Sequence, residues 1–201
     1  LNNNPKEPDL GIEGNGPEKS IYLNVLRNTG LHRQQQSGTS FALQWPNKDD
    51  SLELLWSKWE ALIKKSDKDY TLMDHLEKLS MDPPFGIKKG LARVLAIIKL
   101  FQNLTHVSLY KIGGTFGTET FIEQITDDMI EMLMHRPYLF RIKYVKTEKI
   151  HQNLFNELYK YLEKDKKDLI TLLDIVKPLI KFVNGLSDYT KSTNLLGESC
   201  H

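Results

Sequence analysis

The residues of this chain best equipped by type for chemistry are basic. Lys88, Lys89 and Arg93 stand at the start of a predicted helix, while Arg136, Arg141, Lys143, Lys146 and Lys149 follow one another with only Glu148 as a carboxylate among them. Lysine and arginine bind phosphate oxygens, so Arg141 and Lys143 on the outer face of one strand would grip duplex DNA through its backbone without reading its sequence. The competing reading is a half-polar strand face turned to water, which antiparallel sheets commonly present. With 27 Lys and Arg against 26 Asp and Glu, the net charge is +1. No overall field recruits polyanions, and any basic surface has to be local.

Other chemistries lack their residues. Gly11 to Ser20 (GIEGNGPEKS) imitates a phosphate-binding loop, but two extra residues separate Gly16 from Lys19, no buried strand precedes it, and Pro17 removes an amide that would face a phosphate. The histidines at 32, 75, 106, 135, 151 and 201 have no metal-ligand spacing and no cysteine pair beside them. No metal or cofactor is expected. There is no Gly-x-Ser-x-Gly, and the single cysteine, Cys200, sits next to the last residue in an expected tail, so no anchored nucleophile is visible and no catalytic residue is assigned. Asp49-Asp50 and Asp127-Asp128 fall at helix starts, where capping and the helix dipole account for them. Trp56, Trp59, Tyr159 and Tyr161 recur at helical spacing and read as core before they read as a partner surface.

These side chains need elements to hold them. Residues 1–16 read as an extended lead-in. A helix is expected from Pro17, suited to the first helical position, to Thr29, with Gly30 ending it. A short hairpin around Ser37-Gly38 follows, and then a helix to Lys65 whose Leu52, Leu55, Trp56, Trp59, Leu62 and Ile63 share a face. A shorter helix, 72–80, ends at Asp82-Pro83-Pro84, since the residue before proline leaves the helical region. The Pro-Pro-Phe-Gly bend leads into a helix over 88–103 that is apolar around most of its circumference and belongs in the centre of a core. A hairpin turns at Gly113-Gly114, Thr126 caps a helix through His135, and 138–145 alternates as a strand. A long helix over 147–164 and a last one over 168–184, kinked at Pro178, complete the chain.

The fold class expected is therefore mostly α with a small antiparallel β-sheet, a helical bundle containing a winged-helix-like unit. The domains expected are an N-terminal lead-in with helices (1–66), the winged-helix-like unit (67–146) and a C-terminal helical pair with a truncated tail (147–201). With 40% hydrophobic and 26% charged residues the composition is globular. No apolar run approaches the roughly 20 residues that cross a bilayer. One cysteine fits a reducing cytoplasm, the expected location. Leu1 at the start and the unfinished pattern at the end read as a segment cut from a longer protein.

Several blocks together resemble a known family. Glu18-Lys19-Ser20-Ile21-Tyr22-Leu23, Gly30-Leu31-His32-Arg33, Pro83-Pro84-Phe85-Gly86-Ile87-Lys88-Lys89-Gly90, Tyr110-Lys111-Ile112-Gly113-Gly114-Thr115-Phe116 and Arg136-Pro137-Tyr138-Leu139-Phe140 are similar to a segment of very large bacterial P-loop ATPases from phage-exclusion (BREX-type) and related defence loci. The likeness continues through 176–183 and 188–193. It implies a place downstream of a nucleotide-binding core, and not ATP hydrolysis, because the segment has no Walker lysine. The expectation is a non-catalytic regulatory or interaction segment coupling an ATPase to protein partners. Duplex DNA binding through the wing and basic strand is the alternative, and a small independent enzyme the residual one.

Overall fold

The structure is a computed structural model and describes residues 4, 6–36, 38–48, 51–113, 117–145, 157 and 172–192. Residues 1–146 and 147–201 form two compact units. Of the expected helix over 147–164, residue 157 alone is among the described residues, and it is helical.

Helix α1 (Pro17–Ile21) starts with Pro17 at its first turn and widens into a π-helical stretch, Tyr22–Arg27. Gly30 closes the segment at φ 72°, a left-handed conformation that glycine takes without a Cβ clash. Strands β1 (His32–Gln34) and β2 (Phe41–Leu43) then pair antiparallel, as the alternation predicts. Helix α2 (Ser51–Lys65) buries Leu55, Trp56, Trp59 and Ile63, the stripe its spacing foretells.

Beyond α2 the chain departs from the sequence expectation. Thr71–Leu72 is a short strand, β3, before helix α3 (Met73–Met81) begins. Leu72 and Thr71 look like helix starters by pattern alone, but their partner is a strand seventy residues away. At the bend, the Asp82 carbonyl accepts from the Phe85 and Gly86 amides at 3.0 and 3.3 Å, with Gly86 at φ 59° and the Pro83-Pro84 peptide bond cis. The Ile87 amide returns to the Ser80 carbonyl at 3.0 Å, which hands the chain to α4 (Lys89–Gln102).

Helix α4 buries Ala92, Leu95, Ala96, Ile97, Ile98, Lys99 and Leu100. It is the centre of the core, as its all-round apolar character requires. Against it pack Leu76 of α3, the tryptophans of α2 and the inner face of a second sheet. One apolar cluster runs from Tyr22 to Ile142, so residues on both sides of position 66 share it. Each fully buried Leu, Ile or Phe side chain contributes about 1.5–3 kcal/mol.

The second sheet is made of β4 (Val107–Gly113), β5 (Thr118–Phe121) and β6 (Phe140–Tyr144) together with β3, in the order β3-β6-β4-β5, all antiparallel. Between β5 and β6 lies α5 (Asp127–His135), whose first turn is capped by Thr126 accepting from the Met129 amide at 3.3 Å. Pro137 opens a single 3-10 turn, Pro137–Leu139, before β6. In register, Thr71, Ile142 and Leu109 line one face of the sheet and are buried. Leu72, Arg141, Tyr110 and Phe121 line the other.

In the second unit, α6 (Leu172–Gly185) contains Pro178, and α7 (Asp188–Ser192) follows after Ser187, whose hydroxyl accepts from the Thr190 amide at 3.2 Å. Phe182, Val183 and Tyr189 are exposed there. No described helix is long and apolar enough to cross a membrane.

Candidate partner-binding surface

The basic residues singled out by sequence do not gather into one patch. Arg93 is turned into the fold: its Nε donates to Glu77 Oε2 at 3.0 Å and its Nη1 to the Met134 carbonyl at 2.6 Å. It ties α3, α4 and the end of α5 together. Lys89 stands 3.8 Å from the same carboxylate, and Glu77 is itself buried. Two of the cations at the start of α4 are therefore countered by one anion inside the protein. Lys88 and Arg136 are exposed. Lys146 and Lys149 lie outside the described residues.

Arg141 and Lys143 do share the outer face of one strand, as their spacing predicts. Ser108 stands opposite Lys143 and Tyr110 opposite Arg141. Neither cation is left as a simple phosphate hook. The Arg141 guanidinium is bound by the Glu119 carboxylate, which reaches it across β4. The Lys143 ammonium lies 5.4 Å from the centre of the Tyr70 ring, and the Arg141 guanidinium carbon 6.0 Å from it. Such cation–π contacts at a partly exposed site contribute about 0.5–1 kcal/mol each.

What the sheet does assemble is a row of aromatics. Tyr70 meets Tyr110 edge to face, with centroids 5.3 Å apart and planes at 85°. Tyr110 meets Phe121 in the same manner at 5.6 Å and 60°. Tyr70 is 40% exposed, and Tyr110 and Phe121 are half-buried. Burial raises the Tyr110 phenol above its ordinary value, with the nearby Tyr70 adding to the effect, so it stays protonated and neutral. The face is thus aromatic, carries one internal ion pair and one cation, and is close to neutral. Sequence spacing does not single out this row: Tyr110 and Phe121 sit on different strands of a hairpin, and Tyr70 precedes a strand that the helical pattern conceals. The alternation of Ser108, Tyr110 and Ile112 was the available signal.

The other candidates resolve into structural roles. Lys19 of the glycine-rich stretch is bound to the Asp9 carboxylate and reaches the Ile12 carbonyl at 3.4 Å. That hydrogen bond from Lys19 holds the Asp9 carboxyl below its ordinary value. His32 is buried with its Nδ1 2.9 Å from the Tyr22 hydroxyl, while His75, His106 and His135 are exposed. Among the described residues no three His, Cys, Asp or Glu side chains gather as a metal-binding group. Trp56 and Trp59 are fully buried, with Trp59 Nε1 donating to the Leu76 carbonyl at 3.0 Å.

A cleft of about 370 Å³ lies beside the proline bend, walled by Val25, Leu52, Pro84, Phe85 and Leu91 with Asn24, Thr29 and Ser51 among its polar members. Among the described residues its lining contains no carboxylate, imidazole or amine to serve as acid or base. Thr29 is already engaged, its hydroxyl donating to the Val25 carbonyl.

Comparison of the chain with known protein families, curated proteins and solved structures finds no match.

Proposed function

We propose that this chain is a non-catalytic interaction segment whose partner is protein, and that its working surface is the outer face of the β3-β6-β4-β5 sheet. The observation that carries the reading is the row Tyr70, Tyr110, Phe121 beside an arginine already neutralised by Glu119. Aromatic side chains and arginine at the centre of a patch, with little net charge, are the composition of protein interfaces. Phosphate binding calls for the opposite, cations unpaired and converging.

The described elements over 67–146 run strand, helix, helix, strand, strand, helix, strand, which supports a winged-helix-like unit. In that reading α4 would be the helix offered to a DNA groove. Its burial, and the pairing of Arg93 with Glu77, favour a unit used for protein contact. The resemblance of its sequence blocks to large defence-associated P-loop ATPases suggests the partner class: other domains or subunits of such an assembly in a bacterial cytoplasm.

The test is comparative co-purification from the native gene. Tyr70→Ser combined with Tyr110→Ser is expected to lose a partner that wild type and Lys88→Glu both retain, while the variant stays folded by circular dichroism. Retention of the same partner by the double variant sinks the reading. Retardation of duplex DNA at low salt that vanishes with Lys143→Glu and weakens steeply as salt rises would establish the DNA alternative instead.

A further inference from the structure

The four-stranded sheet has two edges, and they differ. β3 is two residues long, whereas β5 offers four, and nothing described pairs with its outer side. The Ile122 amide donates to the Leu109 carbonyl at 2.9 Å, which sets the phase of the ladder. Antiparallel strands alternate, so residues 118, 120 and 122 turn their main-chain groups toward β4, and Glu119 and Phe121 turn theirs outward. Four main-chain groups therefore stand along one line at the edge.

Natural edges are commonly guarded by a charged side chain in the path of an incoming strand. Here the charge is withdrawn. Glu119 stands in register with Ile112, yet its carboxylate crosses above β4 to bind Arg141 on β6. Phe121, the other outward residue, ends the aromatic row and would face the same side of an added strand.

The stretch of chain that contains and follows β5 also carries a sign. Between Gly117 and His135 the chain carries Glu119, Glu123, Asp127, Asp128 and Glu131 and no lysine or arginine. The last four of these carboxylates are exposed. An incoming segment with positive charge is favoured, and an acidic one repelled.

We propose that the β5 edge takes up a basic, extended segment of a partner protein, adding a fifth strand to the sheet. The main chain supplies affinity, Phe121 selects an apolar residue opposite it, and the exposed Glu123 just beyond the strand favours a lysine or arginine in the segment. This rests on the protein-partner reading above and names how that partner is held.

The probe is an eight-residue peptide in which threonine alternates with lysine and valine in turn, so that lysine and valine fall on one face. A counterpart carries glutamate for lysine. Fluorescence anisotropy at low salt is expected to show saturable binding of the basic peptide and none of the acidic one. Glu119→Pro removes one outward amide, a change an edge strand tolerates. It is expected to weaken binding about tenfold or more, whereas Glu123→Gln, which leaves the strand amides in place and removes one charge, weakens it only about threefold. Hydrogen exchange is expected to slow at the Glu119 and Phe121 amides on peptide addition. No saturable binding, equal affinity for Glu119→Pro and wild type, or protection confined to other strands overturns the proposal. The co-purification experiment reads the aromatic face without reference to this edge. A partner lost by the tyrosine variant, together with indifference to Glu119→Pro, therefore rejects strand addition and leaves the protein-partner reading standing.

Discussion

Lys99 is charged by type, 1% exposed, and placed in the centre of α4. Its ammonium is 2.7 Å from Glu60 Oε2 on α2 and 4.5 Å from the centre of the Trp45 ring. Glu60 keeps 22% of its side-chain surface and also holds Lys64 at 3.3 Å. Burial pushes the Lys99 amine below its ordinary value despite the attraction of Glu60. Burial alone would raise the Glu60 carboxyl, but the hydrogen bond and charge of Lys99, with help from Lys64, bring it below its ordinary value.

These positions make the two ends of the pair unequal. Removing one partner of a buried ion pair costs about 3–5 kcal/mol, because the other charge is left without compensation. Glu60→Ala strands a lysine that water hardly reaches; partial exposure of the lost carboxylate places the cost near the lower end, about 3 kcal/mol. Lys99→Met leaves Glu60 with water and Lys64, keeps the packing of the stem and sets a sulfur beside Trp45. Its expected cost is within about 1 kcal/mol. Urea unfolding followed by tryptophan fluorescence, with unchanged m-values, measures both. The double variant is expected to match Lys99→Met, a coupling of about 3 kcal/mol, the whole cost of Glu60→Ala. Equal costs for the two single variants would refute this account of the pair.

The same pair sets an acid limb. The folded Glu60 value is lowered, so its contribution is present above the ordinary carboxylate range and is lost as pH falls through the folded value. In Glu60→Ala that part of the pH dependence is expected to disappear.

Two further outcomes are expected from the backbone. Gly30→Ala places a Cβ at φ 72° and against the Asn47 side chain, and is expected to cost about 1–2 kcal/mol, read as a thermal midpoint lower by several degrees. Thr126→Ala removes the cap on the Met129 amide and is expected to cost about 1 kcal/mol, with hydrogen exchange speeding up in the first turn of α5 rather than throughout.

Sequence legibility followed the range of the interaction. Where a signal is local, it held: Pro17 and Gly30 bracket the first helical segment, Thr126 caps α5, and the leucine and tryptophan stripe of α2 is buried. Strand β3 escaped because two residues carry no period, and their strand character comes from Ile142 and Arg141 far along the chain. The aromatic row escaped for the same reason, being a property of register between strands. Arg141 and Lys143 were correctly set on one face by alternation. Their counter-ion and ring partners, Glu119 and Tyr70, lie 22 and more residues away and leave no trace in local spacing.

Charge on this fold is consequently a poor guide to its surface chemistry. Helix α4 carries Lys89, Arg93 and Lys99, and each lies within ion-pair distance of a carboxylate on a neighbouring helix, Glu77 on α3 or Glu60 on α2. A helix fastened this way has its cations committed to orientation, because an arginine that also binds the Met134 carbonyl cannot turn outward without leaving the buried Glu77 only the longer contact to Lys89. Arg141 is committed in turn by Glu119, and that commitment draws a carboxylate off the edge of β5. One ion pair thus lowers the basicity of the sheet face and unblocks the edge beside it. Arg141→Leu separates the two effects: it keeps the aromatic row, frees Glu119 to stand out over the edge, and is expected to make the basic peptide bind more dependent on salt, since a released carboxylate attracts lysine but no longer leaves the strand path clear.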